Sequence, residues 1–168
     1  MIFRPPSSFL LPVPHVQQHA DGECLAASVA MCLSYLQNPV RYERLLKTLL
    51  IQSDVGTAFS NIRNLEKLKI GVNYRRYGTL EELYRLLSGG WPCIVSIQTQ
   101  ELAYWNGTNV YHAVVVAGMD QNSVFLHDPA LPAGPIDVTL GEFDLAWLAQ
   151  DETYAILAPS TSGHQVYR

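Results

Sequence analysis

Apolar residues in the first half of the chain recur mainly at helical spacing. Between Cys24 and Leu36 nearly every face of a helix would be apolar, which is typical of a helix buried at the centre of a domain. Pro39 marks the end of this segment, because the residue before a proline disfavours helical geometry. The same periodicity predicts three further helices, over residues 41–51, 57–69 and 79–87.

From residue 91 onward the apolar residues come in short runs separated by turn-forming residues, which is typical of strands. Strands are predicted over residues 92–98, 110–119, 124–127 and 153–157, with a short helix over 140–148. The two middle strands are separated by a short turn, so they are predicted to form a β-hairpin. Two earlier strands are predicted at 72–77 and, as an edge strand that tolerates proline, at 11–16.

A helical first half followed by a sheet predicts an α+β fold with an antiparallel sheet in the C-terminal half. The chain has 168 residues, of which 48% are hydrophobic and 15% charged, as expected for one folded domain with its own core. No repeat or linker interrupts it. We therefore predict a single domain over residues 1–158 and a mobile polar tail over 159–168.

Charge and composition exclude several classes of function. The net charge of −4 argues against nucleic acid as a partner, and no apolar run of about 18 residues predicts a membrane-spanning helix. The proline-rich N-terminus does not resemble a signal peptide, so a cytoplasmic location is expected, with secretion by another export route left open. Cysteine and histidine spacing predicts no metal site, and no phosphate-binding loop or other cofactor motif is present.

Cys24 is the first candidate for chemistry, because it lies where the buried helix is predicted to begin. Unpaired backbone N–H groups and the helix dipole favour negative charge at this position, so they stabilise the reactive thiolate. The turn-forming residues before it include Gln18, which is close enough along the chain to fold back over the helix start. The Gln18 side chain and the Cys24 backbone N–H are the candidate donors for an oxyanion. Cys32 and Cys93 lie in apolar stretches and are expected in the core.

A cysteine nucleophile needs a base and a group that orients the base. His112 lies at the start of one strand of the hairpin and Asp128 directly follows the other, so the hairpin would bring the two side chains together. Each residue alone has a simpler explanation. A single histidine is more often bonded to backbone, and an Asp-Pro pair is a common turn former. Other histidines are available at positions 15, 19, 127 and 164.

Taken together, these residues resemble the papain-like cysteine peptidases that process bacteriocin leaders, the double-glycine leader peptidase family. The resemblance spans about residues 11–158 and is carried by Gln18, Glu23-Cys24, Ala27, Met31, Gly90–Val95, Tyr111-His112, Val114-Val115 and Asp128-Pro129. It implies a papain-like fold with Cys24 as nucleophile, His112 as base, Asp128 as orienting residue and Gln18 as oxyanion donor. It also implies a peptide substrate.

The chain departs from the family pattern beside the nucleophile. Leu25 stands where the family usually has glycine, and Glu23 stands where aspartate is common. These changes put the substrate class in question more than the fold. Transporter segments, to which many members of the family are fused, are not predicted here, so cleavage coupled to export is not indicated.

The sequence therefore predicts a thiol hydrolase that cleaves peptide bonds in a peptide or protein substrate. Two alternatives stay open: a deamidase or transamidase with the same residues, and a catalytically silent or regulatory peptide-binding domain on the same fold. Tyr104, Trp105 and Tyr111 are predicted to line the substrate groove, although they are equally compatible with anchoring a loop. The oligomeric state does not follow from the sequence.

Overall fold

The computed structural model describes residues 1–159. Most of the predicted mobile tail over 159–168 lies outside the described residues, as does His164, so that prediction stays a prediction. Four α-helices and three 3-10 helices are described: α1 Cys24–Tyr35, α2 Tyr42–Thr48, α3 Leu80–Ser88, α4 Leu140–Leu148, and the 3-10 helices Phe59–Leu68, Thr99–Glu101 and Ala103–Trp105. No helix in this part of the chain combines the length and apolar character needed to cross a membrane.

Seven strands form one antiparallel sheet. They are β1 Phe9–Leu10, β2 Gly71–Arg75, β3 Cys93–Gln98, β4 Tyr111–Met119, β5 Ser123–His127, β6 Ile136–Thr139 and β7 Tyr154–Ala158. Their order across the sheet is β2-β7-β3-β4-β5-β6, with β1 paired to the end of β4. The predicted mixed fold, with its hairpin of β4 and β5, is confirmed.

Both faces of the central strands are covered, which explains why β4 is apolar at almost every position. Ala113, Val115 and Ala117 pack with α1, α2 and the long 3-10 helix on one face. Val114 and Val116 pack with α3 and α4 on the opposite face. Successive side chains of a strand point to opposite faces, so a strand with a core on each side needs a continuous apolar run.

Helix α1 is the buried helix that the sequence predicts. Eight of its residues are buried and none is charged: Leu25, Ala26, Ala27, Ser28, Val29, Met31, Cys32 and Leu33. Its small residues allow it to lie close to the sheet, and the Ser28 hydroxyl donates to the carbonyl of Ala113 in β4 at 3.3 Å. This contact fixes the helix against the strand one residue after His112.

Two predicted elements differ from the structure, and one strand was not predicted. The edge strand expected over residues 11–16 is wrong: pairing with β4 occurs at Phe9–Leu10 and ends with the Leu11 N–H, because Pro12 and Pro14 have no N–H to continue the ladder. The helix expected over 57–69 is a 3-10 helix over Phe59–Leu68. Strand β6 was not predicted, since its four residues follow the proline-rich loop and carry little periodicity.

The turn before α1 depends on a close contact between two glycines. Gly22 has φ +86°, and a Cβ atom at this residue would lie 2.7 Å from the backbone nitrogen of Gly56. Gly56 also has a positive φ, of +107°. The turn before Cys24 and the loop before the long 3-10 helix therefore touch through their backbones. This contact leaves no room for a side chain at Gly22.

We expect Gly22→Ala to destabilise the fold more than Gly107→Ala. Both glycines have positive φ, but a Cβ at Gly107 would meet nothing within 4 Å. Gly107→Ala should therefore lower the free energy of unfolding by only about 1–2 kcal/mol, the energy needed to hold alanine in the left-handed conformation. Gly22→Ala adds a backbone clash, which should cost a further ~1–3 kcal/mol. Urea unfolding of both variants measures the difference, and equal losses would contradict the tight contact.

Candidate active site

The Cys24 thiol lies at the N-terminus of α1 and is half-buried. The residue before the helix, Glu23, makes no side-chain cap, so its carboxylate does not occupy the first N–H groups of α1. Burial alone would raise the pKa of the thiol. Hydrogen bonding to His112, the charge of that ring, and the backbone N–H groups of Ala113 and Leu25 outweigh burial and lower the Cys24 pKa below its usual range.

The His112 ring connects the thiol to Asp128. His112 is the second residue of β4 and is 7% exposed. Its Nε2 lies 2.6 Å from Asp128 Oδ1, which leaves Nδ1 as the nitrogen for the hydrogen bond to Cys24. The predicted hairpin accounts for this contact, because β5 ends at His127 beside the first half of β4. The structure therefore brings together the three side chains that the sequence singled out.

The charges of the three groups stabilise one another. Burial lowers the pKa of His112, but its bonds and charge interactions with Asp128 and Cys24 prevail and raise the value to about 9, from an ordinary 6.5. The imidazolium is thus favoured at neutral pH while the thiol pKa is lowered. Proton transfer from sulfur to nitrogen gives a thiolate–imidazolium pair, which is the reactive form of a catalytic cysteine.

Asp128 is held by four donors in a site that excludes water. The residue is 1% exposed. Oδ1 accepts the bond from His112 and a 2.8 Å bond from the Ala130 N–H, and Oδ2 accepts from Tyr104 Oη at 2.5 Å and Trp105 Nε1 at 3.1 Å. Burial would raise the pKa of this carboxyl, but these donors and the His112 charge lower it. A buried carboxylate with every oxygen paired stays ionised.

Of the three aromatic residues predicted to line the groove, two contribute directly to the Asp128 site. Tyr104 and Trp105 lie in a short 3-10 helix and both donate to Oδ2. The Trp105 ring also packs edge-on against His112, with 5.0 Å between ring centroids. Tyr111 is exposed and lines the open space next to Cys24. The contact between Tyr104 and Asp128 was not predicted, because the two residues lie in separate segments of the chain.

Gln18 lies in the segment that leads into α1. Its backbone N–H donates to the carbonyl of Pro129 at 2.8 Å, which ties the lead-in to α1 to the loop after Asp128. Its side chain lines a cavity together with Cys24 and His112. The side-chain oxygen is buried and has no hydrogen-bond partner among the described residues. The amide is therefore not committed to a structural bond at that oxygen.

Two cavities meet at Cys24 and His112. One, of about 360 Å³, extends towards Phe59, Ser96 and Gln150. The other, of about 470 Å³, extends towards Gln18, Gly56 and Trp105. The residues shared by both cavities are Cys24, Leu25, Thr57, Tyr111 and His112. Together they form a cleft that passes over the thiol. Thr57, Phe59, Ser96 and Gln150 were not predicted, since they come from three separate segments without a common motif.

Leu25 does not obstruct this cleft. Its side chain is 3% exposed and belongs to the core beside α1. Its backbone N–H is among the groups that lower the Cys24 pKa. The replacement of the family's usual glycine therefore leaves the donor beside the nucleophile in place.

The other described cysteines and histidines are buried or contact side chains outside the Cys24 site. Cys32 and Cys93 are fully buried, and burial raises the pKa of each thiol. His15 and His127 face each other with their Nδ1 atoms 3.0 Å apart, and burial lowers the pKa of His127 to about 4. His19 stacks on Tyr42. Within residues 1–159 no group of three or more His, Cys, Asp or Glu side chains could hold a metal ion.

Comparison with known proteins relates the chain to a family of peptidases. The family model described as "Peptidase_C39 like family" matches residues 10–154. A search of the curated proteins found no match. Several solved structures share the fold, among them the three that follow. The first is a C39-like peptidase from Bacillus anthracis, with a TM-score of 0.75 and 19% identity over 92% of this chain and 98% of that chain.

The second structure is a double glycine motif protease from an AMS/PCAT transporter in complex with a leader peptide. It has a TM-score of 0.67 and 24% identity over 94% of this chain and 99% of that chain. The third is the peptidase domain of Streptococcus ComA, a bifunctional ABC transporter involved in quorum sensing. It has a TM-score of 0.69 and 18% identity over 88% of this chain and 98% of that chain. At these identities the structures establish the papain-like fold that the sequence predicted.

We expect iodoacetamide to modify Cys24 much faster than Cys32 or Cys93 at pH 6–7. Only Cys24 combines access to solvent with a lowered thiol pKa, whereas the other two thiols are buried and their pKa values are raised. Peptide mapping by mass spectrometry after short labelling times measures the three rates. The variant Cys24→Ala should lose the fast-labelling site and keep the slow ones. Similar slow labelling of all three cysteines would contradict the thiolate–imidazolium pair.

We expect Tyr104→Phe to cost about 1.5–3 kcal/mol of unfolding free energy at pH 7, the usual range for a hydrogen bond to a charged group. The matched control is Tyr84→Phe, which removes a hydroxyl bonded to exposed Ser7 and should cost far less. The folded-state pKa of Asp128 lies below the ordinary 3.8. The loss should therefore persist above pH 4 and shrink as the pH falls through the Asp128 pKa. A pH-independent loss would mean that the Tyr104 hydroxyl does not act through the ionised Asp128 carboxylate.

Proposed function

We propose that this chain, which belongs to the Peptidase_C39 like family, cleaves peptide bonds with Cys24 as nucleophile, His112 as base and Asp128 as orienting residue. Family membership makes the chain a cysteine peptidase. The observation that carries the assignment of roles is the 2.6 Å bond between His112 Nε2 and Asp128 Oδ1, with the other ring nitrogen left for the Cys24 thiol. This is the order of contacts that nucleophilic catalysis by a thiol requires.

The reaction follows from these contacts. The Cys24 thiolate attacks the carbonyl carbon, and a C–S bond forms while the carbonyl oxygen becomes an oxyanion. The His112 imidazolium then donates its proton to the leaving nitrogen, the C–N bond breaks, and the amine product leaves. Water attacks the thioester as His112 accepts its proton. The C–S bond breaks, the carboxylic acid product departs, and the thiolate is regenerated.

Gln18 and backbone N–H groups would stabilise the oxyanion. The Gln18 side chain lines the same cavity as the thiol, and its amide N–H groups would be the donors. The Cys24 N–H, at the start of α1, is the second candidate donor. Hydrogen-bond donors that are already in place where negative charge develops commonly make the largest single contribution to the rate enhancement of acyl transfer. The location of Gln18 supports this role.

The substrate would be a peptide or protein segment lying in the cleft formed by the two cavities. Trp105 and Tyr111 line it, and we propose that they contact the peptide, while Tyr104 acts from behind through Asp128. One structural relative was crystallised with its leader peptide, which supports a peptide ligand for this cleft. The predicted cytoplasmic location and the predicted lack of nucleic-acid and membrane partners rest on composition alone and stay predictions.

We expect Cys24→Ala to abolish cleavage of a peptide library, because no other side chain can form the thioester. Gln18→Ala should lower kcat by about 10²–10³, the usual effect of losing one oxyanion donor. Cys32→Ala is the control, since that thiol is buried and far along α1 from the cleft.

The wild-type profile of kcat/KM should fall as the pH rises through about 9, where the folded His112 loses the proton that the leaving amine needs.

The assay should read new amino termini and free ammonia in parallel. New amino termini indicate peptide-bond cleavage, whereas ammonia without them indicates a deamidase or transamidase with the same residues. Binding of peptides with neither product would favour a silent peptide-binding domain. Full activity of Cys24→Ala would overturn the assignment of the nucleophile.

A further inference from the structure

Glu23 precedes the nucleophile directly, yet its carboxylate turns away from the helix that follows. Its Oε1 accepts a 2.9 Å bond from the Tyr42 hydroxyl and a 3.2 Å bond from the backbone N–H of His19. The His19 ring stacks on the Tyr42 ring, with 3.9 Å between centroids. We call these three residues the Glu23 clamp. It joins the turn before α1 to the first residue of α2.

The clamp lies next to the residue that would hold the oxyanion. His19 follows Gln18, so the bond from its N–H to Glu23 fixes the backbone on one side of Gln18. The bond from the Gln18 N–H to Pro129 fixes the other side. Within the turn the remaining backbone bond, from Glu23 N to Ala20 O, is long at 3.4 Å. The position of the Gln18 side chain therefore depends on these two anchors.

A carboxylate beside a thiolate is electrostatically unfavourable, so its presence calls for a compensating contact. Tyr42 provides one, since its hydroxyl donates to Glu23. Burial and the neighbouring carboxylate both raise the pKa of Tyr42, which keeps this hydroxyl protonated as a donor. A neutral donor satisfies the carboxylate without placing a positive charge that would compete with His112 for the thiolate.

We propose that Glu23 and Tyr42 are positioning residues that hold Gln18 where it can bind the oxyanion. The proposal rests on the proposed function, in which Gln18 is an oxyanion donor. The oxyanion exists only in the transition state and the tetrahedral intermediate. A displaced Gln18 should therefore lower kcat and leave KM nearly unchanged.

The test compares Glu23→Ala, Glu23→Gln and Tyr42→Phe in steady-state peptide cleavage. Glu23→Ala should lower kcat by about tenfold to a hundredfold, the effect of a misplaced group near the chemistry, with KM changed by less than about twofold. Glu23→Gln keeps an oxygen that can accept both bonds, so it should restore kcat to within about threefold of wild type. Tyr42→Phe keeps the ring stacked on His19 and should lower kcat several-fold.

The matched control is Tyr35→Phe. The Tyr35 hydroxyl donates to the Gly90 carbonyl at 2.9 Å, at the far end of α1 from Cys24. Its loss removes a comparable tyrosine hydrogen bond away from the clamp, and it should leave kcat unchanged. If Tyr35→Phe lowers kcat as much as Tyr42→Phe, general loosening of α1 explains the effect and the proposal fails.

Two further measurements separate positioning from general damage to the site. Alkylation of Cys24 needs no oxyanion donor, so Glu23→Ala should label at least as fast as wild type; a parallel loss of labelling and kcat would overturn the proposal. In the Gln18→Ala background, Glu23→Ala should change kcat by less than about twofold, because the residue it positions is already absent. Fully additive losses would show that Glu23 does not act through Gln18.

The design also distinguishes this proposal from the proposed function. If Cys24→Ala or Gln18→Ala keeps wild-type activity, the proposed function is wrong and the clamp has nothing to position. If those two variants behave as expected while Glu23→Ala retains wild-type kcat, the proposed function stands and the clamp proposal alone is overturned.

Discussion

The buried carboxylate of Asp128 is the constraint on which the rest of the site depends. An ionised carboxylate out of contact with water is costly unless its oxygens are fully bonded. Here the donors come from β4, from the 3-10 helix that holds Tyr104 and Trp105, and from the loop that follows β5. These segments can approach one point only if the hairpin is in register. The register of the hairpin therefore determines whether the donors can meet at Asp128.

Local patterns predicted the parts of the structure that depend on neighbouring residues. The buried helix α1 follows from an apolar run without charges, and the contact between His112 and Asp128 follows from a hairpin whose turn is visible in the sequence. What could not be predicted involves residues far apart along the chain. The hydroxyl of Tyr104 donates to Asp128, which lies 24 residues later in the chain. The pattern of apolar and polar residues does not predict such a contact.

The residues that line the cleft could not be predicted from the sequence for the same reason. Phe59, Ser96 and Gln150 line one cavity with Cys24, yet they lie in a 3-10 helix, a strand and the segment after α4. Each residue is ordinary in its own segment, and only the packing of the two cores on opposite faces of the sheet brings them together. The edge strand was misplaced for a simpler reason. The apolar pattern correctly indicated a strand in this part of the chain. Pro12 and Pro14 have no N–H to donate to a neighbouring strand, so the residues that pair with β4 are Phe9 and Leu10.

The two departures from the family pattern have different physical consequences. At Leu25 the side chain packs in the core. The backbone N–H still donates to the thiol, so replacing glycine with leucine keeps the hydrogen bond that lowers the Cys24 pKa. At Glu23 the negative charge of the usual aspartate is kept, on a side chain longer by one methylene, next to the Cys24 thiol whose pKa is lowered. That charge is tolerable because Tyr42 and the His19 N–H bind the carboxylate on the side away from α1. The second departure therefore belongs to the architecture of the turn that holds Gln18. A carboxylate that is unfavourable beside a thiolate can act one step away, by fixing the backbone of Gln18, the proposed oxyanion donor.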